Sequence, residues 1–155
     1  MEMNDLSKRI ERLEDIEAIQ QLKYEYFAAC DDSHNADRIV AIFTEDGIWD
    51  GGPFGYAKGH KEIWDLFHNT HHPNIILSQH NGGNPVIKID GDTAHGIWQL
   101  ACIPMTVKPI APAFHTVKQW VSCQYEEDYV KVNGKWLMKK LVAKIIFVAP
   151  YEQGW

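Results

Sequence analysis

The order of hydrophobic patterns along the chain predicts an α+β fold, with helices gathered at the N-terminal end and a sheet of long strands behind them. Three observations carry this expectation. Apolar residues recur at steps of three and four through the first third of the chain. From Pro73 onward, long runs rich in β-branched and aromatic residues take over. The turn signals Asp90-Gly91-Asp92 and Asn133-Gly134 fall between those runs. Helices first and a strand meander afterwards pack as helices on one face of a sheet, not as alternating βαβ units. A strongly curved, mixed or antiparallel sheet covered by three N-terminal helices encloses a cone, an α+β barrel whose mouth is a natural pocket.

Each element has its own justification. Leu6, Ile10, Leu13, Ile16, Ile19, Leu22, Tyr26 and Ala29 form one helical stripe, with Asn4 or Asp5 available as a cap. The polar run Asp31-Asp32-Ser33-His34-Asn35 ends this helix, and Asn35 caps a short second one carrying Ile39, Val40, Ile42 and Phe43. Thr44-Glu45-Asp46-Gly47 reads as a turn, followed by short extended pieces around Ile48-Trp49 and Tyr56-Ala57. Gly59 to Asn69 reads as a third helix with Ile63, Trp64, Leu66 and Phe67 on its buried side. The strand runs are Ile75 to Ile89, Thr93 to Met105, Val117 to Val132 and Trp136 to Val148.

Length and composition bound the function. The 155 residues make one domain, 1–155, and 45% apolar against 23% charged residues is a globular balance that argues against disorder. With 15 Lys and Arg against 21 Asp and Glu, the formal charge of −6 excludes a phosphate-backbone partner, because neutralising phosphates needs clustered positive charge. The three cysteines, Cys30, Cys102 and Cys123, suit neither a disulfide framework nor a metal site and read as reduced cytosolic thiols. The polar N-terminus shows no signal peptide, and the longest apolar stretch, Leu141 to Pro150, is too short to span a bilayer. A cytoplasmic protein without membrane attachment is expected. The aromatic share of 12% leans towards a small apolar or ring-shaped ligand.

Two residues stand out for chemistry. His80 sits mid-strand in Leu77-Ser78-Gln79-His80-Asn81-Gly82-Gly83-Asn84, polar between apolar stretches. Asp31 ends the first helix, an electrostatically unfavourable place for a carboxylate. An Asp that accepts a hydrogen bond from one imidazole nitrogen fixes the tautomer and leaves the other nitrogen free as a base. Such a pair takes a proton from carbon without a cofactor.

Asp15-Ile16-Glu17-Ala18-Ile19, Tyr24-Glu25-Tyr26-Phe27-Ala28-Ala29-Cys30-Asp31, Phe43-Thr44-Glu45-Asp46-Gly47, Gln79-His80-Asn81-Gly82-Gly83 and the hairpin Tyr129 to Trp136 together resemble the SnoaL-like branch of the nuclear transport factor two-like superfamily. Within it the chain is similar to scytalone dehydratase, bile acid 7α-dehydratase and hexachlorocyclohexane dehydrochlorinase. The resemblance implies a cofactor-free lyase of dehydratase or dehydrohalogenase type, acting on a small apolar, aromatic or alicyclic substrate. It implies His80 as general base, Asp31 as its orienting partner and a homodimer or homotrimer. Tyr26 matches a phenol that the bile acid enzyme sets before its Asp. On an α-helix, however, Tyr26 and Asp31 lie about 140° apart, so both reach one pocket only if the helix end unwinds.

The strand Gly96 to Pro104 departs from these relatives: their second acid or second His falls at Cys102 or near Pro104. A three-residue turn opposing Ile89 to Thr93 sets Cys102 across from His80, facing the pocket. His115, Trp98 and Tyr125 are further pocket candidates, with Trp49 and Phe67 as walls. His68, His71 and His72 lack the fixed spacing of a zinc site and are expected in solvent, so no metal is expected. Lys23, Lys139, Lys140 and Lys144 read as solvated charge. Two alternatives to the lyase stay open: an isomerase of the ketosteroid isomerase or polyketide cyclase type, and a small-molecule binding protein without chemistry.

Overall fold

The structure is a computed structural model and describes residues 3–108 and 117–153. Helix α1 (Met3–Asp31) and the short α2 (Ala36–Val40) open the fold. Then come β1 (Phe43–Asp50), β2 (Tyr56–Lys58) and α3 (Gly59–Leu66), which continues through a π-helical turn at Phe67–His71 and a last turn at His72–Asn74. The strands β3 (Ile75–Ser78), β4 (Gly82–Asp90), β5 (Thr93–Val107), β6 (Val117–Val132) and β7 (Lys135–Pro150) complete it. The described residues form one curved, unclosed sheet in the order β2-β1-β7-β6-β5-β3, with β4 also on β5. All pairings are antiparallel except β1 on β7, so the sheet is mixed, as expected.

The second half of α1 covers the sheet, burying Ile19, Leu22, Tyr26, Phe27, Ala29 and Cys30. Its first turns do not: Leu6, Ile10 and Leu13 belong to the same stripe but stay exposed. Asn35 caps α2 as expected, its Oδ1 accepting from the Arg38 amide at 3.2 Å. The expected turn at Thr44–Gly47 lies instead within β1, where the pairing with β7 shifts between Phe43 and Ile48. The turn residues make a bulge there. A Cβ on Gly47 would stand 2.9 Å from the Thr44 carbonyl oxygen, so the close backbone approach requires glycine.

The run expected as a single strand, Ile75 to Ile89, is two strands on the same edge of β5. β3 pairs with the far end, Ser78 with Met105, and β4 pairs with the near end, Gly82 with Leu100. Residues 79–81 span the break, so His80 lies off the ladder and not mid-strand. The β4–β5 turn is one residue tighter than expected, with Asp90 opposite Thr93. A bulge between Gly83 and Val86, with Asn84 at φ 51°, takes that residue back. No helix of the described residues is long and apolar enough to cross a membrane.

Candidate active site

Between α1, the π-helical turn and the concave sheet lies a pocket with about 490 Å³ of empty space, its open mouth included. Its floor follows from strand periodicity: Val121, Cys123 and Tyr125 alternate along β6 and share one face. Leu100, Ile103 and Met105 of β5 adjoin them. Trp49 and Phe67 line the wall, as expected from sequence. The polar groups reaching this apolar space are few, and His80 is one of them.

The break between β3 and β4 is what brings His80 to Asp31. His80 Nδ1 stands 2.6 Å from Asp31 Oδ1. The His80 amide donates to the same carboxylate, at 2.8 Å to Oδ2, and Ser78 Oγ adds a donor at 3.3 Å. A backbone amide left unpaired by the end of the ladder thus finds its acceptor in Asp31. Burial by itself would raise the Asp31 carboxyl, but the hydrogen bonds from the His80 ring and amide and from Ser78 outweigh it and hold the group below its ordinary value. An ionised Asp31 accepts the Nδ1 proton, so His80 presents Nε2 as its free ring nitrogen. Phe27 stacks on the ring at 5.7 Å with 22° between planes, and the His80 side chain is only 7% exposed. A Cβ on Gly82 would strike the Phe27 ring at 2.3 Å, so this packing needs glycine there.

Tyr26 also lines the pocket, although α1 runs without unwinding to Asp31. Both residues serve one site because His80 lies between them: Asp31 holds the ring from an outer groove shared with Tyr24 and Phe27, and Tyr26 opens onto the inner pocket. The Tyr26 hydroxyl accepts from Trp49 Nε1 at 2.8 Å. Burial foremost, with Cys30 beside it, pushes the phenol well above its ordinary value, so it stays protonated and able to donate.

Other expectations fare differently. Tyr125 lines the pocket, whereas Trp98 does not: it is fully buried outside it, its indole N–H donating to Tyr129 at 2.9 Å. Trp98 is therefore core and not pocket wall. Trp98 shares the concave face with Leu100 but lies two residues nearer the β4–β5 turn, where Tyr24 of α1 and Tyr129 cover it. His115 and the Cys102 side chain lie outside the described residues. Lys23, expected in solvent, is fully buried and paired with Glu127, which also accepts from the Tyr129 hydroxyl. Its ammonium sits 3.5 Å from the centre of the Tyr125 ring, a placement that offsets part of the desolvation. No metal-binding cluster occurs among the described residues.

Two histidines of the pocket had no sequence-based assignment to it. His71, expected in solvent, is 5% exposed; His34, in the polar run after α1, is 4% exposed. His71 falls four residues after Phe67, on the same helical face, a spacing that marks it as inward. His34 gives no such signal, because its left-handed backbone at φ 56° follows no periodicity. Burial above all, and then the neighbouring His71 and His80, push His34 down to about 3, so it is neutral.

No protein of curated function matches the chain by sequence. Solved structures do match it in fold. The type 2 hexachlorocyclohexane dehydrochlorinase LinA aligns with a TM-score of 0.81 at 22% identity, over 92% of each chain. The LinA-type3 enzyme of Novosphingobium barchaimii LL02 aligns at 0.80 and 22%, over 92% of this chain and 93% of its own. A scytalone dehydratase candidate from Novosphingobium aromaticivorans DSM 12444 aligns at 0.73 and 18%, over 90% and 89%. The SnoaL-like domain model matches residues 11–142, nearly the whole of the helix-covered sheet that carries the pocket, and the chain belongs to that family, within the nuclear transport factor two-like superfamily.

Proposed function

We propose that the protein is a lyase that removes a proton and a leaving group from neighbouring carbons of a small, largely apolar cyclic substrate. One observation carries this: a buried histidine ring held at Nδ1 by a partly exposed carboxylate, 2.6 Å away, borders an apolar pocket. His80 Nε2 takes the proton from carbon, the C–H electron pair forms the new double bond, and the leaving group departs with the electrons of its own bond. Asp31 keeps Nδ1 protonated and stabilises the imidazolium that forms. Tyr26, a neutral phenol, donates to the departing group or to a carbonyl that acidifies the C–H bond. The fold likeness to a dehydrochlorinase and to a scytalone dehydratase candidate supports elimination chemistry. The uncovered stripe Leu6, Ile10 and Leu13 supports self-association as a dimer or trimer.

The test is a panel of cyclic hydroxyketones and cyclic halides followed by mass spectrometry, which separates loss of water or hydrogen halide from isomerisation at constant mass. Turnover is expected, with His80→Ala lowering kcat by about 10²–10⁴-fold on an intact fold. Asp31→Asn is expected to lower kcat as well, because the amide no longer enforces the tautomer. Full activity of His80→Ala on an accepted substrate refutes the mechanism.

A further inference from the structure

Among the described residues, one buried side-chain nitrogen or oxygen has no hydrogen-bond partner: Nδ1 of His71. The other ring nitrogen settles its state. Nε2 lies 2.9 Å from the Phe54 carbonyl oxygen, which only accepts, so Nε2 carries the hydrogen. In a neutral imidazole, Nδ1 is then a lone pair in search of a donor. Burial lowers the basicity of His71 more than the Phe54 bond restores it, so the ring stays neutral. The ring lines the same pocket as His80, with Trp49 and Phe67 against it edge to face at 5.2 and 4.6 Å and His34 at 5.7 Å. It is placed by the π-helical turn Phe67–His71, a local irregularity of the kind found at functional sites.

Buried polar atoms in folded proteins are paired, and one left over beside a ligand pocket is a position the ligand completes. We propose that His71 Nδ1 accepts a hydrogen bond from a hydroxyl group of the substrate, making His71 a specificity-determining residue and the substrate class a hydroxylated alicyclic or aromatic ring. A polyhalogenated hydrocarbon offers no such donor and leaves Nδ1 desolvated and unpaired. This inference rests on the pocket being the substrate site of the proposed lyase, and it selects dehydration-type substrates over halides.

The experiment compares two probes of similar size, cyclohexanol and chlorocyclohexane, by calorimetric or ligand-observed NMR titration of the full chain. The wild type is expected to bind cyclohexanol about 10-fold more tightly, the scale of one satisfied buried acceptor. His71→Asn, whose amide oxygen takes the place of Nδ1, retains the preference. His71→Gln, whose amide nitrogen takes the place of Nε2, and His71→Phe abolish it. Thermal unfolding verifies that each variant is folded, and the Gln variant stands in for Phe if the latter is not. Equal binding of the probes by the wild type, a preference surviving in both Gln and Phe variants, or no saturable binding of either probe overturns the proposal. The two levels separate cleanly: an alcohol preference without turnover in the elimination panel refutes the lyase and leaves the acceptor role standing. Turnover of halides with no alcohol preference does the reverse.

Discussion

Lowering the pH from 7 to 5 is expected to destabilise the protein through His34 in particular. In the folded chain His34 is 4% exposed and pushed down to about 3, while in the unfolded chain it titrates at its ordinary 6.5. The unfolded chain therefore binds the proton first. The His34 contribution is complete above 6.5 and drains away as pH falls towards 3, at about 1.4 kcal/mol per pH unit. Between pH 7 and 5 the loss comes to about 2 kcal/mol, or roughly 1 M in a urea midpoint at a slope of about 2 kcal/mol/M. The variant for the comparison is His34→Asn, because asparagine tolerates the left-handed backbone at φ 56° that most residues resist. Its starting stability is lower from lost packing, but the quantity of interest is the change with pH. Urea unfolding of both proteins at pH 7, 6 and 5, followed by circular dichroism, gives that change directly. The wild type should lose about 2 kcal/mol more than the variant over this range. Parallel loss in the two proteins means that burial does not hold His34 neutral.

Three further outcomes are expected. Lys23→Met leaves Glu127 buried without its cation and should cost about 3–5 kcal/mol in urea unfolding, while Lys23→Met with Glu127→Gln recovers much of it; a cost near zero for the single variant contradicts the burial of the pair. Gly82→Ala drives a methyl group into the Phe27 ring that stacks on His80, and should lower kcat by roughly 10-fold or more with a small change in melting temperature, whereas unchanged kinetics would show that the stack does not position the base. Trp49→Phe removes the N–H that donates to the Tyr26 hydroxyl and should cost about 1–3 kcal/mol of stability by chemical denaturation; no loss would mean that the Tyr26 hydroxyl is satisfied elsewhere.

The residues of the proposed dyad were legible in the sequence, but the device that joins them was not. Asp31 and His80 emerge as polar residues at a helix end and within an apolar run, and the likeness to known families pairs them. Their contact depends on the interruption at residues 79–81, where the ladder on β5 passes from β3 to β4. The polar, Gly-rich segment between Leu77 and Val86 reads equally as a continued strand or as a break, because it carries no hydrophobic periodicity of its own. Trp98 shows the converse: an aromatic on the concave face of the neighbouring strand looks like pocket lining, yet its place along that strand sets it under α1, against Tyr24 and Tyr129. Lys23 reads as solvated because of its charge, although it lies four residues before the buried Phe27, on the same face.

By itself the sequence determined the helices-then-sheet order, the strand hairpins and the acidic charge balance of the chain. These rest on periodicity, turn chemistry and net charge, all of which are local or additive along the chain. Tertiary structure alone decided how much of the α1 stripe is covered, that His34 enters the pocket, and that Nδ1 of His71 is left without a donor. Burial and hydrogen-bond satisfaction are properties of what packs around a residue, and here the deciding neighbours, such as Phe54 for His71 and Glu127 for Lys23, are remote in sequence.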